Sequence, residues 1–509
     1  MKKPFNYSLV TALLVLLTAC APVGPEFVKP EVELPAEWSA AAENGLEASP
    51  VKQPQWWRVF NDPVLDKLVE TAWQQNNTLE IAGLRVLEAR AQLGIAQGRL
   101  YPQSQLAAGS STYTSAANNV GGSNFWQHGI GASASWEIDF WGRFRRGIES
   151  ADAAYMASVA ARDQALIILT AQIVNTYTII RINQEQLRIA HDNVDIQQRS
   201  YDIAGVLYRN GSDSELDMQQ AHTLLLSTQA TIPGYETALA QAQNALSTLL
   251  GKPPGSIDDL LHGDQSIPKL PETIEVGIPA DLLRRRPDVR QAELNALAQN
   301  ALVGMAEADL YPSFSLTGSL GLVAGGPGDT DFGDLFSADA LTFSIGPSFV
   351  WPFLNYGRIR NNVRVQDARL QQALVNYRET VIQSAREAED AMAALNGSQA
   401  QTEILEKTVA SAKRSNELSV LRYKEGFSDY QRVLDSQQSL FSQQQRLVIQ
   451  RGTSVQSLVS LYKSLGGGWQ NQTGQPLISE QSRDEMQQRT NWGDLLEGGM
   501  PANKSSKSQ

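Results

Sequence analysis

Four histidines, His128, His191, His222 and His262, are the first residues to test for chemistry, and they lie far apart in the chain. None stands in an HExxH run or a cysteine–histidine spacing, so a metal site has no support. The chain also shows no GxSxG, Walker-type or GxGxxG stretch, the local signs of acyl transfer, phosphate cradling and dinucleotide binding. The expectation is a protein that is not an enzyme and holds no metal or cofactor. One position does invite covalent chemistry. Cys20 is the only cysteine of 509 residues, so no intrachain disulfide can form.

Cys20 closes the stretch "MKKPFNYSLVTALLVLLTAC". Lys2 and Lys3 precede an apolar run from Leu9 to Leu17. That run is shorter than the ~20 residues a membrane span needs. The pattern is a secretory signal peptide, residues 1–19. Leu17-Thr18-Ala19-Cys20 resembles the lipobox of bacterial lipoproteins, which is cut before the cysteine so that the thiol can receive a diacylglycerol. Each buried methylene contributes about 0.8 kcal/mol, so two or three acyl chains anchor firmly. Ala21 stands where an aspartate would favour inner-membrane retention in such lipoproteins, so the resemblance implies export to the outer membrane.

The formal net charge is −12, with 42% apolar and 19% charged residues. An acidic chain lacks the basic excess that displaces counterions from phosphates, so nucleic acid is disfavoured as a partner. The composition fits neither a disordered chain nor a polytopic helical membrane protein.

The elements that would position any functional residue come in two copies. Leu100-Tyr101-Pro102 recurs as Leu310-Tyr311-Pro312, and Ala91, Gly94 and Ala96 match Ala301, Gly304 and Ala306 at the same offset. "WEIDFWGRFR" (136–145) answers "WPFLNYGRIR" (351–360) at an offset five residues larger, which places five extra residues in a loop between the two strands. Tyr208 and Gly211 match Tyr423 and Gly426, and Leu246, Leu250 and Gly251 match Leu461, Leu465 and Gly466. Each half reads as a helix, two strands, a long helix, a glycine turn and a second long helix. The domain reading is a lipidated extended arm (20–55), a first repeat (56–251), a proline-rich linker (252–280), a second repeat (281–469) and a polar, partly disordered tail (470–509).

The strands alternate. Ile130, Ala132, Ala134, Trp136, Ile138 and Phe140 fall on one face, as do Leu341, Phe343, Ile345, Phe349 and Trp351; Ser133, Ser135, Thr342 and Ser344 take the other. About ten residues with this dyad pattern fit a transmembrane β-barrel wall. Trp126, Trp136, Trp141, Trp351 and Tyr356 sit near strand ends, where interfacial aromatics belong. The pattern alone also fits a soluble hairpin packed on a helix. If the strands lie in lipid, four per chain do not close a barrel, and an open edge there leaves backbone groups unpaired. Two chains would give eight strands and three would give twelve.

From Arg143 to Tyr208 there is no proline, and Arg358 to Tyr423 repeats this. Each predicts a helix of roughly 100 Å. The return helices carry heptads: Met218, Leu225, Ile232, Leu239 and Leu246 in the first, and Leu434, Phe441, Val448, Val455 and Tyr462 in the second. A parallel line runs through Val433, Leu440, Leu447 and Leu461, broken by Ser454. These are coiled-coil seams, and Pro233-Gly234 predicts a kink in the first return helix.

The lipobox, "VGPEFVKP" (23–30), "IPADLLRRRPDVRQAE" (278–293), the Tyr-x-x-Gly turns and "LGGGW" (465–469) together resemble the outer membrane factor family, the TolC-like exit ducts, in its lipoprotein branch. The resemblance covers nearly the whole mature chain. It implies a mixed α/β membrane protein: a homotrimer with a twelve-stranded transmembrane β-barrel, four strands per chain, continued by an antiparallel coiled-coil α-helical barrel in the periplasm. It implies a passive exit duct for small molecules (drugs, toxic compounds or metal ions), with outer membrane lipid around it. It also implies two protein partners, a periplasmic adaptor of the membrane fusion type and an inner-membrane transporter of the RND type. The hairpin turns, Gly211 and Gly426, would close the periplasmic entrance. Asp217 and Asp435 match the family's gate aspartates, and Tyr423 matches a tyrosine that ties hairpins together. Gln431 and Arg432 stand where some relatives have leucine and aspartate, so gate contacts would differ in detail. On spacing alone both aspartates read equally as solvated helix residues. The alternative reading is a periplasmic coiled-coil lipoprotein, a scaffold or adaptor without a pore.

Overall fold

The structure is a computed structural model describing residues 22–35, 37–39, 46–47, 55–115, 124–261, 266–271, 273–275, 285–326, 332–470 and 474–497. Cys20 and the signal peptide lie outside the described residues. The helices are α1 (Pro63–Gln75), α2 (Asn77–Gly98), α3 (Arg143–Arg209), α4 (Glu215–Gln229), α5 (Ile232–Leu249), α6 (Pro287–Ala308), α7 (Arg358–Lys424), α8 (Tyr430–Ser464) and α9 (Glu480–Arg489). The strands are β1 (Leu46–Glu47), β2 (Ser104–Thr114), β3 (Phe125–Ile138), β4 (Ile274–Glu275), β5 (Ser313–Ala324) and β6 (Leu341–Val350). The long helices α3 and α7 are each 67 residues.

One compact unit comprises Met1–Glu31, Val86–Ser158 and Gln291–Arg378. It holds a four-stranded antiparallel sheet in the order β2-β3-β5-β6. Opposed residues share a face, and the register sorts them in β3, β5 and β6, whereas β2 sets Gln105 opposite Ala134 and Leu106 opposite Ser133. Ile130 faces Leu322, Ala132 faces Leu320, Trp136 faces Leu316 and Ile138 faces Phe314. Phe343 faces Leu320 and Phe349 faces Phe314. At the loop end the 3-10 turn Phe332–Phe336 covers this face, with Leu335 buried beside Leu322 and Ala324 and Phe332 edge-on to His128; elsewhere it is open, Phe343 being 69% exposed and Phe349 67% exposed. The other face pairs Ser133 with Ser319, Ser135 with Thr317, Ser319 with Ser344 and Ser315 with Ser348. One face of branched and aromatic side chains backed by one of hydroxyls and glycine is the wall of a lipid-embedded, water-filled barrel.

The strand ends carry the aromatics. Trp136 donates from its indole nitrogen to the Leu100 carbonyl at 3.0 Å, and Trp351 makes the same bond to Leu310 at 3.1 Å. Trp141 donates to the Pro312 carbonyl and stacks on Tyr311 at 4.5 Å. Tyr356, the residue matching Trp141, is 97% exposed with a positive φ of 49°. The two halves differ in the loop as well. The equivalent pairs Tyr113–Trp126 and Leu322–Leu341 enclose 12 and 18 residues. Six residues are therefore inserted in the second loop rather than five. The extra one is offset before the strands, where Gln105 lies three residues past Pro102 but its equivalent Phe314 only two past Pro312.

"VGPEFVKP" has a structural use. The Val23 amide donates to the Trp141 carbonyl at 2.9 Å. Gly24 lies so close to Gly304 that a Cβ on it would meet the Gly304 Cα at 2.3 Å. Buried Arg146 donates to the Val23 carbonyl, Glu26 and Glu149. Asn300 donates to the Pro25 carbonyl at 2.9 Å, and Lys29 pairs with Glu293.

The second unit comprises Val32–Arg85, Val159–Arg290 and Glu379–Gln509. Its core gathers a 3-10 turn, Trp56–Phe60, against the end of α8. Trp56 stacks on Tyr462 at 5.3 Å, and Trp57 meets Trp73 edge-on at 5.0 Å. Gly466, Gly467 and Gly468 let the chain pass against Arg286 and Trp56, which explains "LGGGW". The duplication reappears here. Asn76 donates to the Leu249 carbonyl at 2.9 Å, and Arg286 to the equivalent Ser464 carbonyl at 2.8 Å. Each ties the start of one helix to the end of the return helix in its own half. Arg286 also holds Asp288 and Glu387. One stretch of α3 is apolar enough by composition for a membrane span, but it is mostly buried in this core, with Leu166, Ile173, Val174 and Ile180 in the cluster.

Three readings are refined. Pro233-Gly234 does more than kink a helix: α4 ends at Gln229 and α5 restarts at Ile232, with the proline in its first turn. The linker places Ile257, Leu261 and Ile274 in the core, and β4 pairs in parallel with β1. The tail is ordered over 474–497, where buried Leu477 and Ile478 lie against Gly83, Ser479 bonds Glu80 and α9 follows.

Asp163 is buried beside Arg162, and burial pushes its carboxyl up to about 7 although Arg162 and Arg290 pull it down. The native state then holds a proton the unfolded chain releases above its ordinary value. Stability falls as pH rises from about 4 to about 7 and is level beyond. Asp163→Asn is expected to raise the thermal midpoint by a few degrees at pH 8 and leave it nearly unchanged at pH 4. Differential scanning calorimetry at the two pH values measures this.

Candidate functional site

The helical hairpins turn at two glycines, and both turns are built alike. After α3, Gly211 at φ +71° lets its amide reach the Tyr208 carbonyl while Ser212 reaches Leu207. After α7, Gly426 at φ +75° does the same with Tyr423, and Phe427 with Arg422. Only a residue that tolerates left-handed backbone closes a helix end this way.

Between the turns sits a small core of Ala204, Ala221, Tyr423, Tyr430 and Val433. Tyr423 and Tyr430 meet at 5.3 Å between ring centroids. Tyr423 is buried in this core, and its hydroxyl donates to Asp213. Asp213 also accepts from the Ser214 amide at 3.0 Å. Ser214 caps α4: its hydroxyl accepts from the Asp217 amide and donates to the Asp217 carboxylate at 2.7 Å. Asp213 and Asp217 act on each other's ionisation.

A carboxyl is harder to ionise beside a second carboxylate. For Asp217, burial and the neighbouring Asp213 raise its pKa. For Asp213, burial acts in the same direction, but Asp217 and the bonds to Tyr423 and Ser214 outweigh it and hold the carboxyl below its usual value. Burial and the neighbouring Asp213 charge raise the Tyr423 phenol, which stays a donor throughout. Burial, then the Asp217 charge, pushes Tyr430 up to about 12.

The other residues named from sequence lie on the start of α8, exposed to solvent. Gln431 donates to Asp435 at 2.9 Å along the helix, and Arg432 reaches back to Asp429 at 3.8 Å. Within the chain neither pair crosses to the first hairpin. The structure therefore brings Tyr423 and Asp217 into one cluster and leaves Gln431, Arg432 and Asp435 on an open face. Asp213 is the residue sequence reasoning missed. Its signal was an aspartate two positions past one turn glycine, facing a tyrosine three before the other. Above the turns α3 and α8 are joined by polar contacts: Gln437 donates to Ser200 at 2.6 Å and Asn193 to Gln444 at 2.9 Å. Ser454, the break in the heptad line, is buried and bonded to Thr402 at 3.1 Å.

A family model described as "Outer membrane efflux protein" matches residues 68–252 and 278–467, one segment for each half. The chain belongs to this family. The cation efflux system protein CusC of Escherichia coli is 30% identical over 460 residues, which cover 89% of this chain and 97% of that protein. The probable outer membrane lipoprotein SilC of Salmonella typhimurium is 29% identical over 459 residues, covering 90% and 97%. The outer-membrane channel OprN superposes with a TM-score of 0.81 at 30% identity, covering 88% of this chain and 99% of that one. As a member of this family, the chain is an outer membrane efflux channel protein of a Gram-negative cell, built on the family's fold. The family is one of structural channels.

Tyr423→Phe removes the donor and keeps the ring. A hydrogen bond to a charged acceptor contributes about 1.5–3 kcal/mol. Amide exchange over 212–217 is therefore expected to quicken by roughly tenfold or more, each 1.4 kcal/mol being a factor of ten, while exchange in the Trp56 core is unchanged. Hydrogen-exchange mass spectrometry reads both regions in one experiment.

Proposed function

We propose that three copies close a twelve-stranded barrel in the outer membrane and continue it into the periplasm as a ring of helical hairpins. The observation that carries this reading is the sheet: a large uncovered apolar face, a hydroxyl-lined opposite face and two free edges in a membrane chain. In lipid each unpaired backbone group costs several kcal/mol, so the edges demand further strands. A pore-less scaffold would have no use for such a face.

In this reading Cys20 carries the lipid. Val23 is bonded to the end of the β3 segment at Trp141. Three residues span at most about 10 Å, so the acyl chains reach the bilayer from the ring of Trp136, Trp141, Trp351 and Tyr356. The repeats act as the domains: 20–55 as the anchored arm, 56–251 and 281–469 as the two half-walls, 252–280 as the linker between them, and 470–509 as a tail fastened to the first half-wall through Ser479. A periplasmic adaptor and an RND-type inner-membrane transporter supply cargo and energy. The cargo is a small molecule, a drug, toxic compound or metal ion chosen by that transporter.

The turn region is the periplasmic gate. Tyr423, Asp213 and Asp217 hold the two hairpins of one chain together. Gln431, Arg432 and Asp435 face the axis or the next subunit. Three copies of Asp435 around one axis concentrate negative potential and attract cations. Arg432, at a position where some relatives carry an aspartate, moderates that field.

Asp435→Asn is expected to lower cation over anion preference in planar-bilayer recordings and to weaken block by divalent cations. Selectivity identical to the wild type would remove Asp435 from the constriction. Cys20→Ser is expected to abolish labelling by radioactive palmitate and to leave the barrel assembled; label that persists excludes Cys20 as the acylated residue.

A further inference from the structure

The loop between β5 and β6 folds onto the outside of the sheet. Its 3-10 turn, Phe332–Phe336, packs on β5 and β3. Leu335 fixes it there, in a cluster with Ala324, Ala340 and the partly buried Leu322. Leu322 opposes Ile130 and Ala324 opposes His128, so the turn lies on the face that carries the branched and aromatic side chains. We propose that this turn is a lipid anchor: Phe332 and Phe336 seat in the outer leaflet, at the boundary of acyl chains and headgroups, at the opposite end of the barrel from the acyl chains on Cys20. The inference rests on the barrel reading above and adds a contact that the strands alone do not supply.

The turn divides its apolar residues between two tasks. Leu335 is 4% exposed, whereas Phe332 and Phe336 are 56% and 72% exposed. A phenyl ring has no polar atom to gain from water. Two of them held outward on a folded support, beside a broad apolar face, mark a surface that meets another apolar phase.

The depth of the turn follows from β3. Trp126 and Trp136 share its outward face and lie ten residues apart. That is about 34 Å along an antiparallel strand, and a tilt of about 40° leaves about 26 Å of height. A barrel's apolar band between its two aromatic girdles is roughly 25 Å tall. Trp136 lies at the helix end, so Trp126 marks the outer girdle. His128, two residues nearer the middle of the band, stacks on Trp126 at 5.9 Å, and Trp126 meets Tyr113 at 5.2 Å. Phe332 meets His128 edge-on at 5.0 Å and Phe336 at 6.1 Å. The Ser111 hydroxyl, 2.9 Å from His128 Nδ1, steadies the middle of this row. Five rings thus run from β2 across β3 to the turn at the level of the outer girdle.

The place of the turn in the sheet selects its partner. β3 and β5 are the inner strands, so the turn stands away from both free edges, where neighbouring copies would lie. Lipid is the phase that reaches it there, as it reaches the adjoining Leu320, which is 55% exposed. The first loop is six residues shorter, and "TSAANNVGGSNF" (114–125) carries one aromatic, at its last position. The anchor therefore belongs to the second half of the duplication and occurs once per subunit.

The test is spin-label accessibility in a bilayer. Full-length protein is reconstituted into vesicles of phosphatidylethanolamine and phosphatidylglycerol, with a nitroxide on one introduced cysteine at a time. The sites are Phe336→Cys on the turn, Leu320→Cys on the outward face of β5 and Ser319→Cys on its inward face; unsubstituted protein reports any label taken up at Cys20. Power-saturation EPR compares collisions with oxygen, which concentrates in lipid, and with a water-soluble nickel chelate. Leu320→Cys is expected to favour oxygen several-fold and Ser319→Cys to favour the chelate. Phe336→Cys should behave as Leu320→Cys does. A Phe336→Cys label that favours the chelate while Leu320→Cys favours oxygen overturns the anchor and leaves the barrel standing. A Leu320→Cys label that favours the chelate overturns the barrel reading itself. Adding Phe332→Ser to Phe336→Cys breaks the row of rings and is expected to shift that label toward the chelate, with no change when Phe332→Ser is added to Leu320→Cys. A Phe336→Cys label that stays in lipid despite Phe332→Ser overturns the row as what holds the turn.

Discussion

A sheet with two open edges cannot rest in hydrocarbon. Every backbone amide and carbonyl on β2 and β6 that lacks a partner there carries a cost of several kcal/mol, with no water to relieve it. The rest of the molecule is consistent with that single demand. Away from the loop end, where the Phe332–Phe336 turn lies over Leu322 and Ala324, the outward side chains of β3, β5 and β6 are open because their solvent is lipid. The inward ones are serine, threonine and glycine because they face water and lie close together. Four strands are too few to close, so the fold of one chain is a fragment of a wall.

The helical part answers a different constraint. Helices of 67 residues gain stability from packing, not from propensity, and need partners along their length. The chain supplies them from its own return helices and then locks the ends. Asn76 and Arg286 each hold a return-helix carbonyl at the Trp56 end, and Tyr423 with Asp213 holds the turn end. The two locks differ in kind. The first is buried among tryptophans and carries fixed amide and guanidinium donors. The second rests on two neighbouring carboxyls and one phenol, set against a small apolar cluster. A joint of that second kind is easier to open, which suits a gate.

Much of this was legible in the residues. The two Leu-Tyr-Pro sites, the paired aromatic-glycine-arginine segments and the heptads gave the repeat, the strands, the long helices and the turn glycines. The alternation in β3 and β6 named the outward face. Other features were not legible, for physical reasons. The N-terminal arm lies along α6 through backbone bonds and the buried Arg146, which leave no periodic trace. The tail between 474 and 497 is polar in composition, yet two apolar residues, Leu477 and Ile478, suffice to seat it. The one-residue difference before the strands is invisible in a match of identities and appears only in hydrogen-bond register.

The sequence by itself determined the secondary elements and their faces, because helix and strand periods are local and apolar residues recur with them. It also determined the duplication, since identities at a fixed offset survive without any knowledge of contacts. Tertiary structure alone decided which strand lies beside which, that Asp213 rather than Asp217 receives the Tyr423 hydroxyl, and that Ser454 is buried. Those outcomes depend on where residues hundreds of positions apart meet in space, which the spacing of either partner does not fix.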